Sequence, residues 1–135
     1  VKRRSSCLVA ADDFGNLLLQ HRTDDAPTWP GYWGLFGGGR EEGEDARAAL
    51  VREIREEIGL DAAAAVEVGV VETPVLVMDA FFLRLRPEHC MPHELARAQT
   101  EGQGLGFFPF EAVRRMKVVP EDVEAMLLAL KLLAR

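Results

Sequence analysis

Residues 38–60 read GGREEGEDARAALVREIREEIGL, and this stretch decides the fold. Leu50, Ile54 and Ile58 recur every four residues and Val51 widens the stripe. The spacing predicts an amphipathic helix from about Glu44 to Ile58 with one buried face. Glu44 and Asp45 fall in its first turn, where carboxylates favour the positive end of the helix dipole. Gly59 follows the last turn, where a left-handed cap belongs. Glu53, Glu56 and Glu57 stand at i, i+3 and i+4 and so share one face. Like charges at these spacings cost a helix about 0.2–0.5 kcal/mol per pair. Arg52 and Arg55 flank that face at its sides, and the small Ala49, one turn before Glu53, leaves room beside it. A divalent cation offsets the repulsion, because Mg²⁺ takes hard oxygen ligands and is held by a few carboxylates plus water and phosphate. Taken alone, an acidic helix face is more often a solvated surface.

Outward from the helix, the chain alternates strands and turns. Ser5 to Ala11 and Leu17 to Arg22 read as two strands of a hairpin around Asp12-Asp13-Phe14-Gly15-Asn16. Thr23 to Tyr32 is a loop punctuated by Pro27 and Pro30. Trp33 to Phe36 is short and apolar and leads into Gly37-Gly38-Gly39. Downstream, Val66 to Glu72 and Val75 to Leu85 read as strands around Thr73-Pro74. Pro87 to Gly106 reads as a loop, and Phe107 to Met116 as a strand end and a helical turn. Pro120 to Arg135 reads as the final helix, with Pro120 at its first position, Glu121 and Asp122 in its first turn and Lys131 in its last. Strands, helix, strands, helix make an α/β domain with a mixed sheet. No repeat or linker divides residues 1–135, so one domain is expected.

The 135 residues carry 16 Lys and Arg against 22 Asp and Glu, a formal net charge of −6. Bulk attraction to nucleic acid is excluded on that balance, because phosphate neutralisation needs clustered basic residues. A small phosphorylated ligand fits if divalent cations supply positive charge locally. No apolar run approaches the roughly 20 residues that span a bilayer, and Asp12 and Asp13 interrupt any leader-like stretch. Membrane partners are therefore not expected. Cys7 and Cys90 form no CxxC pair, in keeping with a reducing cytoplasm.

Gly38, Glu44, Arg52, Glu53, Ile54, Glu56, Glu57, Gly59 and Leu60 match a fixed pattern without departure. That pattern is Gly, five residues, Glu, seven residues, Arg-Glu, an aliphatic, any residue, Glu-Glu, any residue, Gly and an aliphatic. The chain thus resembles the Nudix hydrolases of MutT-like type. Nine specified positions make this far more specific than a lone glycine-rich loop. The resemblance implies an α/β Nudix fold, a mixed β-sheet sandwiched between helices, with residues 38–60 as its loop-helix-loop box. It implies Mg²⁺-dependent hydrolysis, or Mn²⁺ in its place, of the diphosphate bond in a nucleoside diphosphate linked to another moiety. Glu53, Glu56 and Glu57 would be metal ligands, with the Gly37 carbonyl added. Arg52 and Glu44 would orient the ligand carboxylates. Glu56, Glu57 and, outside the box, Glu101 are candidates for general base, and Glu101 also for metal ligand. Arg22 and Arg40 are candidates for holding substrate phosphate.

Within that resemblance the compact length points to a nucleoside triphosphate pyrophosphohydrolase. Nucleotide sugars and dinucleoside polyphosphates are alternative substrates, and a non-catalytic nucleotide-sensing domain is an alternative role. An RNA-decapping hydrolase would need a basic RNA path that this charge balance does not provide. The base-reading asparagine of oxidised-guanine enzymes has no counterpart in Val118-Val119-Pro120-Glu121-Asp122. Trp29, Tyr32 and Trp33 offer rings for stacking, though packing is the commoner role of such residues. His89, Cys90 and His93 lack a fourth partner for a tetrahedral zinc site. A homodimer is expected by analogy alone.

Overall fold

A computed structural model describes residues 1–134 of the chain. Its strands are β1 (Arg3–Ala11), β2 (Leu17–His21), β3 (Trp33–Gly34), β4 (Phe36–Gly39), β5 (Val66–Glu72), β6 (Leu76–Arg84) and β7 (Gly104–Phe108). Its α-helices are α1 (Ala46–Ile58), α2 (Pro92–Ala98), α3 (Phe110–Val113) and α4 (Pro120–Leu133). The sheet order is β3-β2-β1-β6-β5, with β4 also paired to β1 and β7 to β2. β1 runs parallel to β6 over its whole length and antiparallel to β2 and β4. The sheet is mixed, as expected.

Alternation along β1 builds two cores, because successive side chains of a strand point to opposite faces. Cys7, Val9 and Ala11 pack with Met78, Ala80, Ala125 and Met126 on the α4 side. Leu8 and Ala10 pack with Phe36, Leu50, Ile54 and Phe81 on the α1 side. Leu50 and Ile54 are fully buried and Ile58 nearly so, which fixes the acidic face of α1 relative to the sheet. Ala49 is fully buried as well. Helix and sheet approach closely there, and the Ser6 hydroxyl donates to the Ala46 carbonyl across 2.7 Å.

Three segments differ from their sequence reading. α1 begins at Ala46, two residues later than expected, because Asp45 is its cap and accepts from the Ala48 N–H at 2.8 Å. A short polar side chain satisfies an orphan N–H there better than another helical turn would. Pro87 to Gly106 is not a loop. It holds a 3-10 turn (Pro87–His89), α2 and the start of β7. Pro92 opens α2 at a position where its missing N–H costs nothing, and Leu95 anchors that helix in the α1-side core. β7 adds to β2 from Leu17↔Phe108 to His21↔Gly104. The final helix ends at Leu133, and Arg135, expected at its end, lies outside the described residues. No helix among the described residues is long and apolar enough to cross a membrane.

Candidate active site

β4 is the floor of the site. Its glycines are demanded by contact. A Cβ on Gly37 (φ +152°) would stand 2.1 Å from the Ser6 carbonyl oxygen. One on Gly38 would stand 2.3–2.7 Å from the carboxyl atoms of Glu53. The strand therefore brings bare backbone against the acidic face of α1. Gly37 N–H donates to Glu57 Oε1 at 2.9 Å, and Glu57 is buried to 3% exposure.

Arg52 organises the loop before the helix. Its guanidinium donates to both carboxyl oxygens of Glu44, at 2.7 and 3.0 Å, and to the Gly39 carbonyl at 3.0 Å. It also reaches Glu53 Oε1 at 2.9 Å and Glu56 Oε2 at 3.4 Å. Arg52 thus lies across the acidic face rather than at its side, because the fork is long enough to cover neighbours on both flanks. The Arg52 bond holds the Glu44 carboxyl down to about 2. Glu44 also accepts from the Glu41 N–H, so it closes the turn ahead of α1 rather than standing in its first turn. Arg55 turns away toward Asp61.

Glu101 joins this group from the loop between α2 and β7. Thr100 carries it in: its N–H donates to the Glu57 carbonyl at 2.9 Å and its hydroxyl to the Glu56 carbonyl at 3.0 Å. These are open carbonyls at the C-terminal end of α1, where a helix needs outside donors. The Glu101 carboxyl then meets that of Glu57. Burial first, and Glu101 next, push Glu57 up to about 9. Burial also raises Glu53, against the lowering effect of Arg52.

A cleft of about 490 Å³ lies on the α4 side of β4, lined by Cys7, Arg22, Trp29, Gly37–Gly39, Met78 and Asp122 among others. A second of about 410 Å³ is lined by Gln20, Arg22, Pro27, Glu101 and Gly102. Gly37 lines the first cleft and Glu101 the second, and both contact the Glu57 carboxyl. Arg22 borders both clefts. Its guanidinium is bound to the Thr28 carbonyl and hydroxyl at 3.0 and 3.1 Å, bracing the loop that carries Trp29. Arg40 pairs with Asp79 at 3.0 Å, and its buried Nε has no partner. Trp29 leans on Tyr32, while Trp33 is a packing residue, stacked on His21 with centroids 4.4 Å apart.

Asp122 is the residue that sequence reasoning missed. It lies in the first turn of α4, and its Oδ2 accepts from the Leu35 N–H at 2.9 Å. Gly34 makes the space, since a Cβ there would stand 2.7 Å from that oxygen. Burial raises Asp122 to about 7, although the Leu35 bond and Arg22 lower it. No motif spacing marks this residue. Only the pairing of β3 with the segment before α4 brings it to the cleft, by way of Trp33 N–H to the Lys117 carbonyl and Val119 N–H to the Trp33 carbonyl.

The donor set suits a hard divalent cation, because every candidate ligand is an oxygen. The contact between two carboxyls, Glu57 and Glu101, is relieved by added positive charge. Among the described residues, no three acidic, histidine or cysteine groups surround one ligand-sized position. Arg52 engages Glu53 and Glu56 instead.

The NUDIX domain family matches residues 1–128. The chain belongs to the Nudix family. Nucleoside triphosphatase NudI of Escherichia coli O139:H28 is 47% identical over 58 residues, which are 43% of this chain and 40% of that protein. The match spans about two fifths of the length of the curated relatives. Among solved structures, a mutT/nudix family protein from Listeria innocua aligns with a TM-score of 0.78 at 19% identity, covering 98% of this chain and 94% of that one. The NUDIX domain of Shewanella oneidensis NrtR, complexed with ADP ribose, aligns with a TM-score of 0.77 at 16% identity, covering 98% and 89%. At such identities these structures establish the Nudix fold.

Proposed function

We propose that this Nudix protein is a divalent-metal-dependent hydrolase of phosphoric anhydrides. Its substrate class is a nucleoside diphosphate linked to another moiety, with nucleoside triphosphates first. One observation carries this reading: the Glu57 carboxyl joins the glycine strand of one cleft to Glu101 of the other. A nucleotide lying across β4 would set its phosphates beside that carboxyl and its base toward Asp122. The partial match to a nucleoside triphosphatase agrees with triphosphates as the first choice.

Glu53, Glu56, Glu57, Glu101 and the Gly37 carbonyl are the groups that would hold Mg²⁺ or Mn²⁺. When bound, such an ion neutralises phosphate oxygens and lowers the pKa of water. The protein's own groups do the rest. Gly37 N–H fixes the Glu57 carboxyl. Arg52 holds Glu53 and ties it to Glu44, the kind of support that orients a ligand carboxylate. Glu101, carried in by Thr100, and Glu56, the most exposed of the three α1 glutamates, are the candidates to take a proton from an attacking water. Arg40 and Arg22 line the cleft where phosphate would pass. Asp122, neutral or charged near pH 7, meets the edge of the base.

The test is a panel of nucleoside triphosphates, nucleotide sugars and dinucleoside polyphosphates, incubated with Mg²⁺ and resolved by product. Monophosphate with pyrophosphate from triphosphates supports the leading reading. Turnover of nucleotide sugars or dinucleoside polyphosphates alone moves the assignment to those substrates. Binding without turnover across the panel favours a sensing domain and rejects the enzyme.

A further inference from the structure

Among the described residues the buried polar side chains are those of Ser6, Gln20 and Glu57. The Ser6 hydroxyl donates to the Ala46 carbonyl, and the Glu57 carboxyl accepts from the Gly37 N–H. Gln20 is 6% exposed, and its amide is bonded to no described residue. Its polar neighbours are committed elsewhere. Gln99 donates to the Gly104 carbonyl at 2.8 Å, Gln103 to the Arg22 carbonyl at 2.7 Å, and Thr100 to the open carbonyls of α1. A buried amide without a partner calls for one. Arg40 Nε is the one side-chain polar atom sealed away unpartnered among the described residues. The Gln20 amide is therefore open to the cleft of about 410 Å³ that it lines with Arg22, Asp25 and Glu101.

Strand alternation fixes the side that Gln20 takes. Leu17 and Leu19 join the α4-side core and Leu18 the α1-side core, so Gln20 points with Leu18 toward α1 and its glutamates. Gly102 packs against it: a Cβ there would stand 2.8 Å from Gln20 Cγ, at a φ of +81°. Glu101, the preceding residue, stands at the same wall without bonding the amide. Two polar groups that face one space unbonded are joined by a water between them. The chemistry of the lining selects that occupant. Glu101 as a carboxylate only accepts, and Arg22 donates to Thr28. A phosphoryl oxygen has no proton to give Glu101, whereas a water gives it one and still bonds the amide. We propose that the Gln20 amide positions the water that attacks the anhydride. The inference rests on the hydrolase reading. In that step the water oxygen bonds to phosphorus and its proton passes to a carboxylate of the site. The anhydride P–O bond breaks, and its electron pair stays on the leaving phosphate. Gln20 neither takes nor gives a proton; it sets the direction in which the water presents its lone pair.

Gln20→Met fills the same space and removes the amide. With saturating Mg²⁺ and the best triphosphate of the panel, its kcat should fall about 10- to 100-fold while KM stays within about twofold. Binding of a non-hydrolysable triphosphate analogue, read by calorimetry, should be unchanged. The thermal midpoint should equal or exceed that of the parent, because no bond within the fold is lost. Gln20→Met combined with Glu101→Gln should lose little beyond the larger single loss, since both groups hold one water. A Gln20→Met variant with the parent's kcat overturns the proposal while the hydrolase reading stands, and so does a raised KM with weaker analogue binding at that kcat. A midpoint lowered by more than about five degrees overturns it too, by showing the amide bonded within the fold, as do losses that multiply in the double variant. A parent chain without turnover on the whole panel removes the hydrolase reading itself, and this inference falls with it.

Discussion

The main-chain N–H of Gly37 donates to Oε1 of Glu57 across 2.9 Å, tying the strand beneath the cleft to the helix that carries the acidic face. The bond fixes one side of a carboxyl that meets Glu101 as well. Backbone geometry therefore sets where this carboxyl lies before any ligand arrives.

The first prediction concerns protons. Burial and Glu101 push Glu57 up to about 9, so the metal-free chain holds a proton there near pH 7.5. A cation at Glu57 must displace it. Titration calorimetry of Mn²⁺ at pH 7.5, in two buffers of different ionisation heat, should show release of about one proton per ion bound. Identical apparent enthalpies in the two buffers would contradict this. The sign for stability follows from the same shift. A carboxyl raised from 4.5 on folding contributes fully below about 4.5 and loses that contribution as pH rises through about 9. The urea midpoint of the metal-free chain should therefore fall from pH 5 to pH 9, and saturating Mg²⁺ should offset the fall.

Asp122 gives a second prediction, at the other end of the cleft. Its carboxyl is raised by burial from 3.8 to about 7, so it too favours the folded state when protonated. Asp122→Asn keeps an oxygen for the Leu35 N–H and removes the charge. The variant should be more stable than the parent at pH 8 and about equal to it near pH 3.5. It should also change the ranking of bases among substrates, read as kcat/KM across the triphosphates, while leaving the Mg²⁺ requirement in place. An unaltered ranking would remove Asp122 from the base pocket.

Gly38 supports a third. The atoms nearest to an added Cβ are the end of the Glu53 side chain, which can shift more cheaply than backbone. Gly38→Ala should keep the parent's thermal transition within a few degrees. Its Mn²⁺ affinity should fall by about 10- to 100-fold, as when a group that positions a ligand is lost. Gly37→Ala is the contrasting variant, because its Cβ would strike the Ser6 backbone at a φ of +152°, and it should fold poorly. Unchanged metal binding in Gly38→Ala would detach Glu53 from the site.

The shared face of Glu53, Glu56 and Glu57 was legible from helix spacing, whereas its reading as a site came from the Nudix resemblance. Glu53, Glu56 and Glu57 share a face by spacing, and Gly38, Glu44, Arg52 and Gly59 sit at fixed steps from them. The reach of Arg52 across that face was not legible, since spacing says nothing of where a long side chain ends. α2 was hidden because Pro92 reads as a breaker until its place at a helix start is seen. With α2 unseen, Thr100 had no visible role, and Glu101 could be named only as a loop glutamate. Asp122 depended on the pairing of Trp33 with Val118, far apart in sequence, which no local pattern announces. The layered α/β fold came through because β1, β5, β6 and α4 carry strong apolar patterns, whereas β7 is written in glycine and phenylalanine and joins the sheet by pairing with β2.

The most direct test of the central claim is kcat of Glu57→Gln with saturating Mg²⁺ and the best triphosphate of the panel. Glutamine retains an oxygen for the Gly37 N–H and loses only the charge. The account predicts a fall of at least about 10²-fold, as for a group acting mainly in the transition state, with the fold intact by circular dichroism. A kcat equal to that of the parent would contradict the placing of the metal site on α1.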